Sequence, residues 1–229
     1  MAQQLTTIVF DLDGTLYVDH ELALAIHQSA CRYIAGLRSV TMEEADRLIR
    51  STKERLTEAT GWGTPLSGAC RELGGDLPAL HRHFAEEIDP AALIVPDNRV
   101  NELLSALAGR YGLYIYTNNN RFLTDRIVRT LGLPDVFRHT FTIEDTWRPK
   151  PDRETLQRHL AAIGAEAEEC LFVGDRYDID LRLPESLGSR VFLSRSVDEL
   201  LTLQDHLNKS AGCSKIVRSS HPQKAPAEA

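Results

Sequence analysis

The chain has 229 residues, 42% of them hydrophobic and 26% charged, which is enough to bury a full hydrophobic core in one large or two small domains. Its formal net charge of −7 argues against a nucleic-acid partner, because phosphate backbones are bound by basic surfaces. No run of about 18 apolar residues indicates a membrane span, and the first residues lack the pattern of a secretory signal, so we expect a cytoplasmic protein with no membrane partner.

Five short apolar runs rich in β-forming residues predict strands. In chain order they are Leu5–Phe10, Leu113–Tyr116, His139–Ile143, Cys170–Val173 and Arg190–Leu193, of which the third is the weakest. Runs this apolar are typical of strands buried on both faces, as in a parallel sheet. Helical patterns at 97–108, 122–131 and 152–163 separate most of them. The alternation predicts an α/β fold with a doubly wound parallel sheet, whose ligand site lies outside the carboxyl ends of the strands.

The alternation fails between residues 19 and 92, where only helical patterns occur. Thr41-Met42-Glu43-Glu44 fits a capping box between two long helical patterns, and shorter ones follow. We therefore expect an α/β core of 1–18 and 93–209, an inserted helical cap of 19–92, and a flexible polar tail of 210–229. The insert is interpreted as a lid over the site, with an inert helical decoration as the alternative.

Neither the cysteines nor the histidines predict a metal site. The cysteines, at positions 31, 70, 170 and 213, form no Cys-x-x-Cys pair, so we expect reduced thiols rather than zinc or a disulfide framework. The segment His81-Arg82-His83 has no third ligand near it in sequence, and a solvated helix face is the expected structure.

Two aspartates, Asp11 and Asp13, directly follow the first predicted strand. Side chains two residues apart at the carboxyl end of a strand can both face the ligand crevice. An EF-hand is excluded, because Gly14 is fourth in the motif rather than sixth, and Leu22 stands at the twelfth position, where glutamate is required. Taken alone, the pair also fits a turn in which the aspartates accept hydrogen bonds from the backbone.

Three later segments bring polar groups to the same edge of the predicted sheet. They are Thr117-Asn118-Asn119-Asn120, Arg148-Pro149-Lys150-Pro151, and a run from Gly174-Asp175 to Asp178 and Asp180. Carboxylates crowded in one crevice repel one another unless they are protonated or neutralised, and a hard dication with oxygen ligands neutralises them. Together with the positive charge of Lys150, this convergence predicts a magnesium site suited to phosphoryl transfer.

In this order the four motifs resemble those of the haloacid dehalogenase-like superfamily. They are Asp11-x-Asp13-Gly14-Thr15, Thr117-Asn118, Lys150-Pro151, and Gly174-Asp175 with Asp178 and Asp180. The resemblance covers about residues 5–203, and the insert after the first motif matches the family's helical cap type. It implies a Rossmann-like core, Mg²⁺ as cofactor and a small-molecule phosphate ester as partner.

The resemblance also implies a role for each catalytic residue. Asp11 is expected to be the nucleophile that forms an aspartyl-phosphate, and with a reference pKa of about 3.9 it needs no base to ionise it. Asp13 is expected to protonate the leaving group and then to deprotonate the attacking water. Lys150 is expected to bridge Asp11 and the phosphate.

Binding roles follow from the same resemblance. Thr117 and the backbone of Asn118 are expected to hold phosphate oxygens. The expected magnesium ligands are Asp11, the backbone carbonyl of Asp13, and Asp175. Asp180, five residues after Asp175, is favoured as an outer-shell ligand, although many members of the family place this acid four residues on. Asp178 is the alternative and is expected to be a surface acid.

The presence of Asp13 favours phosphate esters, because the family's dehalogenases lack an aspartate there. Gly61–Gly68 of the insert and Val95–Asn98 just after it resemble the cap loop and cap exit of the pyrimidine 5′-nucleotidase-like branch, although Trp62 and Pro65 depart from its Tyr-Gly-Thr-Thr-like sequence. Trp62 either stacks on a base or closes a helical hairpin. We expect a phosphatase of a nucleoside 5′-monophosphate. A sugar phosphomutase, a phosphatase of a metabolite such as phosphoglycolate and a non-catalytic binding module stay open, as does the oligomeric state.

Overall fold

The structure is a computed structural model that describes residues 3–133 and 135–211. The strands in these residues are β1 (Thr7–Phe10), β2 (Gly112–Tyr116), β3 (His139–Phe141), β4 (Cys170–Gly174) and β5 (Arg190–Leu193). They form one parallel sheet in the order β3-β2-β1-β4-β5. The parallel α/β sheet expected from the sequence is confirmed, and all five predicted strands are present.

Helices fill the intervals between the strands. Between β1 and β2 lie α1 (His20–Arg38), α2 (Met42–Thr60), α3 (Leu66–Glu72), α4 (Leu77–Glu87) and α5 (Asn98–Ala108). The later helices are α6 (Arg121–Thr130), α7 (Arg153–Ile163), α8 (Arg182–Ser186), α9 (Val197–Leu201) and α10 (Leu203–Ala211). Two predicted caps are present, since Thr41 Oγ1 accepts from the N–H of Glu44 at 3.2 Å and Asp152 Oδ1 from that of Thr155 at 2.8 Å.

Helices α1–α4 form the insert that the sequence predicted after the first strand. They pack on one another through buried apolar residues that include Ile34, Ile49, Cys70 and Leu80. The division into a core of 1–18 and 93–209 and a cap of 19–92 stays a prediction. Of the tail predicted at 210–229, the structure describes only the last two residues of α10, and the remainder lies outside the described residues.

Both faces of the central strand β1 are buried, which explains its uninterrupted apolar sequence. Ile8 and Phe10 belong to the larger apolar cluster on one face, and Val9 belongs to the smaller cluster on the other. Full burial of one such side chain contributes about 1.5–3 kcal/mol. Packing on both faces therefore fixes the position of the carboxyl end of β1, and Asp11 is the residue that directly follows it.

His81 is buried, contrary to the solvated helix face expected for residues 81–83. Its side chain packs edge-on against Phe84, and its Nε2 lies 3.0 Å from Ser67 Oγ. The Asn120 side chain also donates to the carbonyl of His81 at 2.8 Å, which ties α4 to the start of α6. Burial lowers the pKa of His81 to about 4, so the imidazole is neutral near pH 7. The expectation was wrong for His81, which Ser67 and Asn120 contact from other segments, whereas Arg82 is exposed as expected.

Within 3–133 and 135–211, every helix is too short or too polar to cross a bilayer. Cys31, Cys70 and Cys170 are buried free thiols, and Cys213 lies outside the described residues.

Candidate active site

The register of the sheet brings three of the polar motifs to one edge. Phe10 pairs with Ile115 of β2 and with Val173 of β4. The next residue, Asp11, therefore lies between the ends of these two strands. The N–H of Asp11 continues this pattern by donating to the carbonyl of Val173 at 2.8 Å. Thr117 directly follows β2 and Asp175 directly follows β4, so all three face the same crevice.

Lys150 reaches this crevice from the loop after β3 and contacts two of the acids. Its ammonium donates to Asp11 Oδ1 at 2.6 Å, to Asp180 Oδ1 at 2.7 Å and to the carbonyl of Tyr116 at 2.9 Å. The side chain is only 3% exposed. Burial disfavours the charged form, but the two carboxylates outweigh it and raise the pKa of Lys150. Since an ammonium has three N–H donors, all of them are engaged by the protein.

Asp11 is buried and held at both carboxylate oxygens. Lys150 contacts Oδ1, and the Thr15 hydroxyl donates to Oδ2 at 3.2 Å. Burial and the neighbouring Asp180 raise the pKa of Asp11, although Lys150 and Arg176 oppose them. The raised pKa of Asp11 thus reflects its burial first and the like charge of Asp180 second.

Carboxylate oxygens of Asp11, Asp175 and Asp180 lie within 4.8 Å of one another. Burial raises the pKa of Asp175 against the opposing charge of Arg176, and its Oδ1 is buried without a hydrogen-bond partner. A buried acceptor without a donor is costly, and it suits coordination of a cation. This set of hard oxygen donors fits Mg²⁺, which binds one or two carboxylates and retains several waters.

Asp180 belongs to this cluster, whereas Asp178 does not. A single π-helical turn, Tyr177–Leu181, carries both acids. Asp180 Oδ2 accepts from the N–H of Arg176 at 3.1 Å, while Asp178 is 56% exposed and lies 3.4 Å from the Arg182 guanidinium. Gly174 makes room for this arrangement, because a Cβ there would lie 2.5 Å from the Cβ of Asp180.

The Asp13 carboxylate is held separately from the cluster. Its Oδ1 accepts from the hydroxyl of Tyr17 at 2.5 Å, and its Oδ2 accepts from Asn119 Nδ2 at 2.7 Å. Tyr17 and Asn119 were not predicted as contacts of Asp13. Tyr17 lies four residues after Asp13, and Asn119 lies two residues after Thr117. This spacing was the indication that the sequence offered for both contacts.

Thr117 and Asn118 lie beside the same carboxylates. Thr117 is buried, and its hydroxyl lies 3.4 Å from Asp13 Oδ2 and accepts from the N–H of Asn119 at 3.1 Å. Asn118 Oδ1 accepts from the backbone N–H of Lys150 at 2.7 Å. Asn118 thus positions the loop that carries Lys150, while the expected contacts of Thr117 and Asn118 with phosphate oxygens stay a prediction.

Arg176 is a further residue at the site that was not predicted. Its Nε lies 3.4 Å from Asp175 Oδ1 and 3.7 Å from Asp180 Oδ2, and its side chain is 44% exposed. The signal was its position directly after Asp175. Arg176 and Lys150 together offset two of the four carboxylates at 11, 13, 175 and 180, so one divalent cation would balance the rest.

A cavity of about 470 Å³ lies between the insert and the core. From the insert it is lined by residues that include Leu56, Thr60 and Trp62, and from the core by residues that include Lys150 and Arg153. The Arg182 guanidinium lies over the indole of Trp62, 4.2 Å from the ring centroid, and also donates to the carbonyl of Gly61. Trp62 therefore joins the loop after α2 to the core.

Comparisons with known proteins agree with this architecture. A family model described as a haloacid dehalogenase-like hydrolase matches residues 5–188. The pyrophosphatase PpaX of Bacillus velezensis is 28% identical over 194 residues, 82% of each chain, and that of Listeria innocua is 26% identical over 181 residues, 77% of each chain.

Solved structures share the fold. YfnB from Bacillus subtilis, bound to magnesium, has a TM-score of 0.58 at 21% identity, covering 90% of this chain and all of its own. A family enzyme from Bacteroides thetaiotaomicron, in complex with magnesium and inorganic phosphate, has a TM-score of 0.52 at 16% identity, covering 84% of this chain and 95% of its own. The nucleotidase branch suggested by the insert is not confirmed. The chain belongs to the haloacid dehalogenase-like hydrolase family.

Proposed function

We propose that this hydrolase is a magnesium-dependent phosphatase that acts on a small phosphorylated metabolite through an aspartyl-phosphate at Asp11. The observation that carries the proposal is the Asp11 carboxylate, which Lys150 contacts at 2.6 Å beside two further carboxylates. A second acid, Asp13, is held apart from this cluster by neutral donors. One carboxylate is thereby available as nucleophile and another as acid and base.

The proposed reaction has two steps. A carboxylate oxygen of Asp11 attacks phosphorus, the bond from phosphorus to the leaving oxygen breaks, and Asp13 gives that oxygen its proton. Asp13 then takes a proton from water, and the water oxygen attacks phosphorus. The bond from phosphorus to the Asp11 oxygen breaks, which releases phosphate and restores the Asp11 carboxylate. The hydrogen bonds from Tyr17 and Asn119 hold Asp13 in one position for both steps.

Positive charge is expected from two sources. Asp11, Asp175 and the Asp13 backbone carbonyl would hold Mg²⁺, with Asp180 in its outer shell, and the bound ion supplies charge that offsets the phosphoryl oxygens. Lys150 keeps its ammonium beside Asp11 and adds positive charge to the same region. Thr117 and the Asn118 backbone would donate to phosphate oxygens.

Two substrate classes are candidates. The sequence of the insert favours a nucleoside 5′-monophosphate. The relatives named as pyrophosphatases favour a substrate in which a second phosphate is the leaving group. No contact in the described residues favours the alternative of a sugar phosphomutase.

Phosphate release from a panel of phosphate esters and from pyrophosphate, an anhydride, tests the proposal. We expect Mg²⁺-dependent release from p-nitrophenyl phosphate and from at least one natural compound among nucleoside monophosphates, sugar phosphates, phosphoglycolate and pyrophosphate. EDTA should lower the rate by at least about 100-fold, because the buried acids lose the ion that offsets them, and added Mg²⁺ should restore it. Isomerised sugar phosphate without free phosphate would indicate a mutase. Rates unaffected by EDTA would contradict the metal dependence.

Replacing Gly14 with alanine is expected to weaken magnesium binding by at least about tenfold. Gly14 has a φ of +79°, and a Cβ there would lie 2.7 Å from Asp175 Oδ2, so the Asp175 carboxylate must shift. Calorimetric titration with Mg²⁺ measures the change.

Gly164→Ala is the matched control, because Gly164 has a similar φ of +74° but has no atom within 4 Å of the added Cβ. Both variants should lose about 1 kcal/mol or more of stability through backbone strain. Equal magnesium affinity in the two variants would show that the position of Asp175 does not govern metal binding.

A further inference from the structure

Three donor atoms of different chemistry converge between helices α1 and α2 of the insert. His27 and Cys31 stand four residues apart on α1, so they lie on one face of that helix, and Asp46 reaches them from α2. His27 Nε2 lies 3.6 Å from Cys31 Sγ and 2.5 Å from Asp46 Oδ1. All three atoms lie within 4.8 Å of one another, as do the carboxylate oxygens of the active site.

A single proton does not satisfy these three groups. The Asp46 carboxylate only accepts hydrogen bonds, so its contact with His27 requires a proton on Nε2. Nε2 then cannot accept the S–H of Cys31, and the thiol makes no other hydrogen bond within residues 3–133 and 135–211. A cation between the three atoms removes this conflict, because nitrogen, sulfur and oxygen can each direct a lone pair at it.

The donor set and its spacing fit zinc rather than magnesium. A thiolate and an imidazole suit Zn²⁺, whereas Mg²⁺ takes oxygen ligands. Zinc bonds of about 2.3 Å to sulfur and about 2.0–2.1 Å to nitrogen, at a tetrahedral angle, place these two ligand atoms about 3.6 Å apart. Cys31 Sγ and His27 Nε2 already have this separation. Asp46 Oδ1 needs to move away from the nitrogen by only about 1 Å to complete the geometry.

The surroundings supply an outer partner and a route of entry. Arg50 Nε donates to both oxygens of Asp46 at 2.9 Å, and carboxylates that bind metals are commonly held by such hydrogen bonds. Cys31 is 2% exposed, whereas the side chains of His27 and Asp46 are 27% and 33% exposed. The ion can therefore enter from solvent and keep a water as its fourth ligand. The sequence did not indicate this site, because its third ligand lies on the next helix.

We propose that His27, Cys31 and Asp46 bind a zinc ion that fastens α1 to α2. Binding releases the proton of the Cys31 thiol to solvent, and the resulting thiolate and the Asp46 carboxylate together balance the two charges of the ion. Zinc stabilises the insert, because the two helices are then joined by metal bonds as well as by apolar packing. The site lies outside the active site, so it does not depend on the proposed phosphatase function.

Calorimetric titration of the full-length protein with Zn²⁺, in saturating Mg²⁺, tests the site. The wild-type protein should bind one zinc ion that Cys31→Ser and His27→Gln bind at least about 100-fold more weakly, since each variant lacks a direct ligand. Arg50→Gln, which removes only the outer partner of Asp46, should weaken binding about tenfold. Cys170→Ser is the matched control, because it changes a buried thiol of β4, outside the insert, and should bind zinc as the wild-type protein does.

Two further measurements locate the ion. Co²⁺ bound to a thiolate gives an intense charge-transfer absorption that oxygen ligands do not give, so we expect it in the wild-type protein and in Asp175→Asn but not in Cys31→Ser. Zn²⁺ should raise the Tm of the wild-type protein but not of His27→Gln, each compared with its own zinc-free form so that any loss of stability from the substitution cancels. No zinc binding by the wild-type protein, or wild-type affinity in Cys31→Ser, would overturn the site.

Discussion

Asp11→Asn is expected to abolish turnover and leave the fold intact. Asparagine has nearly the same size and can still accept the hydrogen bond from Lys150, but a neutral amide is a poor nucleophile toward phosphorus. We expect kcat to fall by at least about 10⁴-fold, as for other nucleophile replacements. Steady-state phosphate release in Mg²⁺ measures the loss, and intact-mass analysis excludes reversion of the amide to aspartate.

The same variant should be as stable as the wild-type protein or more stable. Burial and Asp180 raise the pKa of Asp11, so removing this charge relieves repulsion within the cluster. Asp178→Asn is the matched control, since it makes the same chemical change at an acid that is 56% exposed and pairs with Arg182 at the surface. Wild-type-like rates in Asp11→Asn would rule out Asp11 as the nucleophile.

Lys150→Met should lower both activity and stability. Methionine fills much of the space of the lysine stem, but the buried Asp11 and Asp180 then lose their shared cation. Removing one partner of a buried ion pair costs about 3–5 kcal/mol. We expect a loss of this size in the free energy of unfolding, measured by urea denaturation without Mg²⁺, and a decrease in kcat of at least about 100-fold.

A second substitution separates the two effects. Adding Asp180→Asn to Lys150→Met removes one of the uncompensated charges, so it should restore part of the stability while turnover stays low. Mg²⁺ should likewise stabilise Lys150→Met more than it stabilises the wild-type protein, because the ion offsets the same acids. A stability loss below about 1 kcal/mol would mean that the contacts of Lys150 are unimportant for folding.

The sheet and the position of the site were predictable because they depend on local sequence. An apolar run such as Leu5–Phe10 indicates a strand that is buried on both faces, and the polar residues after it indicate the carboxyl end of that strand. Parallel pairing then brings Asp11, Thr117 and Asp175 to one edge whatever the details of packing. The order of the motifs, rather than any one of them, identified the family.

Contacts between distant side chains were not predictable in this way. His81 is buried where Ser67 and Asn120 contact it in the folded chain. The sequence His81-Arg82-His83 does not indicate either of these contacts. Arg176 stands in the fourth motif, but only the structure shows that its Nε lies beside Asp175 and Asp180. Such contacts depend on the relative placement of segments far apart in the chain.

The central position of β1 has a consequence for synthesis on the ribosome. Of the five strands in the described residues it is made first, yet its two neighbours are β2 and β4, and β4 begins only at Cys170. The nascent chain therefore carries Asp11 long before it carries the lysine and the acids that surround it. A chain that ends before Cys170 therefore lacks Asp175 and Asp180, and a truncated fragment cannot assemble the group of acids around Asp11.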